Sequence, residues 1–151
     1  MHTPQLSPEH RAALASAAIT EDVINAANIC TAHRVSELPE SLQGWGDQVL
    51  PAIVFPHEGV KGECAPQIRP DKPIENGNGD LAKYLFAADG GGIFAVHPSM
   101  RDRVMNPSVP LVIVEGTKQH LAAVSALAEP ITPLSAYSGA TGSRATVSRS
   151  P

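Results

Sequence analysis

The chain has 151 residues, 42% hydrophobic, 17% charged and 4% aromatic, enough for one ordinary core and too few for two full domains. Lys and Arg total 11 against 15 Asp and Glu, so the formal net charge of -4 excludes binding nucleic acid through an overall basic field and leaves only a local basic patch. No apolar run approaches the ~20 residues of a bilayer-spanning helix, MHTPQLSPEHR lacks the character of a secretory leader, and two cysteines make no disulfide framework; the expected setting is cytoplasmic, with no membrane.

With 12 Gly and 14 Pro, much of the chain is expected in loops around a modest core. Ser7-Pro8 is an N-cap followed by the proline that suits a first helical turn, and HRAALASAA continues as a short helix. Thr20 can cap a second helix through EDVINAAN, with Glu21 and Asp22 where the helix dipole favours acids. Leu14, Ala17, Ile19, Val23, Ile24 and Ala27 give this pair one apolar face, which must pack on something else. Residues 36–47 are polar and turn-rich, with Trp45 between two glycines as a loop anchor.

VLPAIVF at 49–55 has the β-branched content of a buried strand, bounded by Pro56 and a His57-Glu58-Gly59 turn. A second strand is expected over 65–69, followed by a loop over 71–80. KYLFA at 83–87 and GIFAV at 92–96 read as short strands joined by a turn through Ala88-Asp89-Gly90-Gly91, and DGGG at 89–92 lacks the GK[ST] ending of a phosphate loop. VPLVIVEG at 109–116 has the continuous apolar character of a central parallel strand buried on both faces. TKQHLAAVSALAE at 117–129 then places Leu121, Val124 and Leu127 three apart on a helix, beginning a βαβ unit. In 130–151, Ser, Thr, Pro, Gly and Ala fill 16 of 22 positions and no acid occurs, a composition that predicts a disordered tail.

Glu115 closes the most apolar run, and the carboxyl end of such a strand is where open α/β sheets place their ligands. A carboxylate there can approach a hard cation or take a proton, or it can be a solvated strand end; Gly116 lets the backbone turn closely past a bound group. Cys30 and His33 have C-x-x-H spacing, with His57 and Cys64 elsewhere, but no second close pair completes a zinc set. His97 and His120 are isolated, suited to structural or exposed positions.

Taken in order, QIRPD at 67–71, KYLFAADGGGIF at 83–94 and VPLVIVEGTKQHLAAV at 109–124 resemble the catalytic region of primase-type proteins, in which a basic strand pair precedes a TOPRIM domain whose first strand ends in Glu-Gly. The likeness covers about residues 7–128. It extends to a domain of uncharacterised function in phage, plasmid and mobile-element replication proteins. The resemblance implies that Glu115 is a catalytic acid/base or metal-proximal group. It implies that Arg69, Lys83 and Lys118 face template phosphate or a nucleoside triphosphate, although Lys83 and Lys118 also read as surface lysines. Arg69 precedes a proline that holds it extended, and Asp71 either orients Arg69 or caps the loop.

Active TOPRIM domains hold Mg²⁺ with a further Asp-x-Asp pair, and no acid follows Glu129 here. Glu115 alone is an incomplete metal site, so this chain is expected to bind no magnesium and to be inactive by itself. The sequence is expected to be interrupted inside the TOPRIM domain, as in a truncated or frameshifted reading frame. The resulting expectation is an α+β fold: a helical segment at 1–35, a small, mainly antiparallel, primase-like region at 36–108, a partial TOPRIM-like βα unit at 109–129 and a tail at 130–151. The function expected is that of a primase-like replication protein, with single-stranded DNA or nucleotide as ligand and a helicase or replication protein as partner. The alternative is a non-catalytic module that binds nucleic acid or a replication partner. A third possibility is that another chain supplies the missing acids.

Overall fold

Ser7 accepts the backbone N–H of His10 at 3.2 Å and opens α1 (Pro8–Ala15), with proline in its first turn where no N–H is missed. These are the opening elements of a computed structural model that describes residues 5–75, 79–87 and 93–127. The turn that follows α1 closes at Ala18, whose φ of 59° lies in the left-handed region, and Ile19 N–H bonds back to Leu14 at 3.2 Å. Helix α2 (Glu21–Ala26) follows, with Glu21 and Asp22 in its first turn. Thr20 sits at the expected N-cap position but makes no cap bond; its hydroxyl and N–H turn instead to Ser125 Oγ, at 3.4 and 3.0 Å.

Four strands form one antiparallel sheet: β1 (Cys30–Ala32), β2 (Ala52–Phe55), β3 (Gln67–Pro70) and β6 (Leu85–Phe86), in the order β1-β2-β3-β6. A separate hairpin pairs β4 (Ile74–Glu75) with β5 (Leu81–Ala82). Every residue of β2 is buried, which explains its unbroken apolar run: both faces of the sheet are covered. Ile53 and Phe55 point to one side, into a cluster with Leu14, Ile24, Leu121 and Val124 from the helices. Val54, Ile68 and Leu85 point to the other side, against Leu38, Leu42 and Val49. The polar stretch after β1 supplies this second cover as 3₁₀ turns, Val35–Glu37 and Glu40–Val49, with Trp45 packed on the cluster.

The last helix, α4 (Thr117–Ala126), lies where the sequence places it. It follows α3 (Arg101–Val104) and packs on α2. The expected loop over 71–80 includes β4, and the expected strand at 83–87 contracts to Leu85–Phe86. In the expected strand at 92–96, Ala95 makes an isolated bridge to Gly59. Residues 88–92, including the DGGG turn, and the tail from 128 lie outside the described residues.

One expectation is corrected. Residues 109–116 form no strand among the described residues, and Leu111, Val112 and Ile113 are 41%, 37% and 52% exposed rather than buried on both faces. An apolar run states a preference for burial, but a parallel strand obtains its ladder from neighbours, and no described strand pairs with this segment. The fold class is α+β, a helical layer on a small antiparallel sheet.

Candidate functional site

The antiparallel register pairs Phe55 with Gln67 and Ile53 with Arg69, so Gln67 and Arg69 project from the same face of β3, the face that meets the helices. His57, just past β2, and Thr117, in the first turn of α4, converge on Gln67. His57 Nε2 lies 3.1 Å from Thr117 Oγ1 and 3.4 Å from Gln67 Oε1, and the Thr117 hydroxyl donates to the same amide oxygen. An amide oxygen only accepts, so this arrangement calls for a proton on His57 Nε2. Burial drives the His57 pKa down to about 4, partly offset by Gln67. The ring stacks on Phe55 with centroids 6.1 Å apart and meets His120 edge-on at 6.5 Å.

Beside this cluster stand two cations. Lys118 follows Thr117, and its ammonium is held below the usual lysine range, first by partial burial and then by the charge of Arg69. Burial raises the Tyr84 phenol, and Arg69 partly opposes that rise. Arg69 therefore acts on both Tyr84 and Lys118. Among the described residues no carboxylate pairs with Arg69 or Lys118; the ion pairs lie elsewhere, at Arg11–Glu21, Arg34–Glu37 and Arg101–Glu58, and Asp71 meets His10. Gly116, the N-cap of α4, has no side chain with which to cap the helix, whose first turn carries the positive end of the helix dipole.

Glu115 is exposed one residue before the N-cap Gly116, so it borders this positive region. Gly116 lies in a bend with an extended backbone, φ -113° and ψ 149°, so close approach rather than a positive φ is what favours glycine there. Its missing Cβ leaves space for the Gln119 amide, which folds back over it. Lys83 stands exposed in the bend between β5 and β6, and its neighbour Tyr84 is the residue that packs on the helix-facing core. Asp71 neither orients Arg69 nor caps its own loop through its side chain: Oδ1 lies 2.6 Å from His10 Nε2. Sequence reasoning named Arg69, Lys83, Lys118 and Glu115, considered His57 only for a zinc set, and missed Gln67, Thr117 and Tyr84. The two-residue spacing of Gln67 and Arg69 on one strand is the signal that could have joined them.

Among the described residues no group of three or more His, Cys, Asp and Glu is placed to hold a metal ion. Mg²⁺ requires near-octahedral oxygen coordination, and among the described residues Glu115 belongs to no group of acids that could supply it, so the described residues do not fit a magnesium centre by themselves. The C-x-x-H set is likewise not assembled: His57 is engaged with Thr117, and Cys64 is exposed.

No protein-family profile matches the chain, and no curated protein matches it. Solved structures do. The zinc-binding and RNA polymerase domains of the Aquifex aeolicus primase align over 87% of this chain and 37% of that one, at 13% identity and a TM-score of 0.55. The DnaG catalytic core aligns over 87% of this chain and 47% of that one, at 18% identity and a TM-score of 0.55. The chain spans less than half the length of each, and what the likeness establishes is architecture: this polypeptide has a primase-related fold.

Proposed function

We propose that this chain is the phosphate-binding part of a primase-like DNA replication protein, and that Arg69 and Lys118 grip the backbone of single-stranded DNA or the phosphates of a nucleotide. The observation that carries this reading is the juxtaposition of two cations with no described acid opposite them, at the start of α4. Like charges held together favour an anion between them, and a phosphate diester supplies one. Lys83 joins from the exposed bend as an outer contact. Glu115, at the rim, serves as the acid of the site in combination with carboxylates beyond the described residues. In this reading the chain contributes phosphate binding, and nucleotide transfer calls on acids supplied by another chain.

The ordered QIRPD, KYL and Glu-Gly segments support placing it with replication proteins of phage, plasmids and mobile elements, acting in the cytoplasm with a helicase or another replication protein. No helix among the described residues is long and apolar enough to cross a membrane.

Fluorescence anisotropy with a labelled oligothymidylate tests the reading. Salt-sensitive binding is expected, and Arg69→Ala with Lys118→Ala should reduce the slope of log K against log salt by about 1.4. Equal slopes in the two proteins would sink it. Template-directed incorporation with magnesium, abolished by Glu115→Gln, would show instead that the chain is an enzyme on its own.

A further inference from the structure

We propose that His57, Gln67 and Thr117 form a buried clamp that holds Arg69 and Lys118 together before any anion arrives, which makes His57 and Thr117 positioning residues for the phosphate site. This inference rests on the phosphate-binding reading above. Arg69 and Lys118 repel each other, and each is carried on a different element, β3 and α4. Gln67 is two residues before Arg69 on the same strand face, and Thr117 immediately precedes Lys118. The Thr117 hydroxyl donates to Gln67 Oε1 and so ties the two elements beside the two charges.

His57 closes the triangle from a third segment, donating from Nε2 toward Thr117 Oγ1 and Gln67 Oε1. Its ring is fixed by the stack on Phe55 and the edge contact with His120. Gln67 and Thr117 are each only 4% exposed. Farther along α4 the same inward face is completed by Leu121 and Val124, which pack with purely apolar contacts. Packing alone would be served by apolar residues at 67 and 117 as well. Directional bonds at that point instead fix the spacing between β3 and α4, so the ligand meets a site already organised rather than one it must assemble.

Three variants of the full chain test the clamp. His57→Phe keeps the ring stack and removes the N–H donor, Thr117→Val removes the hydroxyl at equal size, and His57→Gln returns an N–H donor without the ring. Binding of inorganic triphosphate is followed by calorimetry, the Lys118 side-chain titration by NMR, and folding by thermal melting. His57→Phe and Thr117→Val are expected to weaken triphosphate binding about tenfold and to raise the Lys118 titration midpoint while a cooperative melt remains. His57→Gln is expected to recover most of both. The clamp is overturned if the Phe and Val variants bind as the parent does and leave the Lys118 titration unmoved. If the parent fails to bind triphosphate, or Arg69→Ala loses nothing, the phosphate-binding reading falls. The clamp is then decided by Lys118 alone: a raised midpoint supports it and an unchanged one overturns it.

Discussion

His10 Nε2 lies 2.6 Å from Asp71 Oδ1, joining α1 to the residue that follows β3 across 61 positions of sequence. On its other side His10 Nδ1 is 2.7 Å from Thr31 Oγ1, and that oxygen accepts Ser7 N–H at 2.9 Å. An ionised carboxylate only accepts, so His10 donates to Asp71 from Nε2, and its Nδ1 shares the second hydrogen bond with the Thr31 hydroxyl. Replacing His10 by Ala strands the buried Thr31 hydroxyl and is expected to cost about 2 kcal/mol in urea unfolding. Asp71→Asn keeps an acceptor on a half-exposed side chain and is expected to cost well under 1 kcal/mol. Equal losses in the two variants would contradict this assignment.

Acidification should loosen the fold through its buried histidines. His57 is held at about 4 against an ordinary 6.5, and burial also lowers His97, whose Nε2 donates to Val23 O at 3.0 Å. The unfolded chain takes up these protons first, so stability is whole above pH 6.5 and falls as pH drops toward 4. For His57 the loss is on the order of 3 kcal/mol. Denaturant midpoints at pH 7, 5.5 and 4 should decline across that window, and His57→Gln should flatten the decline. Glu37 acts in a lower window. It is held at about 2 by the His33 backbone N–H and the Arg34 side chain, and its contribution fades below pH 4.5.

Ala18 closes the turn after α1 with φ 59°, where an L-residue with a Cβ is strained and glycine is not. Ala18→Gly is expected to stabilise the protein by about 1 kcal/mol, read as a higher melting temperature. A lower melting temperature would mean that the methyl group contributes more by packing than it costs in strain.

The exposed segment before α4 offers a sharp distinction between two placements. Ile113 is 52% exposed, so Ile113→Lys should change unfolding free energy by less than about 0.5 kcal/mol. A strand buried on both faces, as its composition suggested, would lose several times that amount and aggregate on expression.

Local chemistry was legible where one or two residues decide the outcome. Ser7-Pro8 starts α1, and the unbroken run ending at Phe55 is a strand with both faces covered. Arg69 and Lys118 stood out as basic residues in the right order, but their setting did not. Residues 57, 67 and 117 meet only because the register of β2 on β3 and the docking of α4 bring them together, and neither is encoded in any short window. The choice between Lys83 and Tyr84 turns on a one-residue alternation in strands too short to show a period. At 109–116 the sequence expressed a need for cover without naming the covering strand.

Thr20 and Ser125 are bonded across 105 positions, and the helix carrying Ser125 completes the core that Leu14 and Ile24 begin. During synthesis, the first two helices leave the ribosome long before the residues that cover them. Ile53 and Phe55 can cover part of that apolar face early, but the rest stays exposed until α4 has emerged. Chaperone dependence should therefore be concentrated in the interval between translation of residue 27 and residue 126, and should end abruptly at its close.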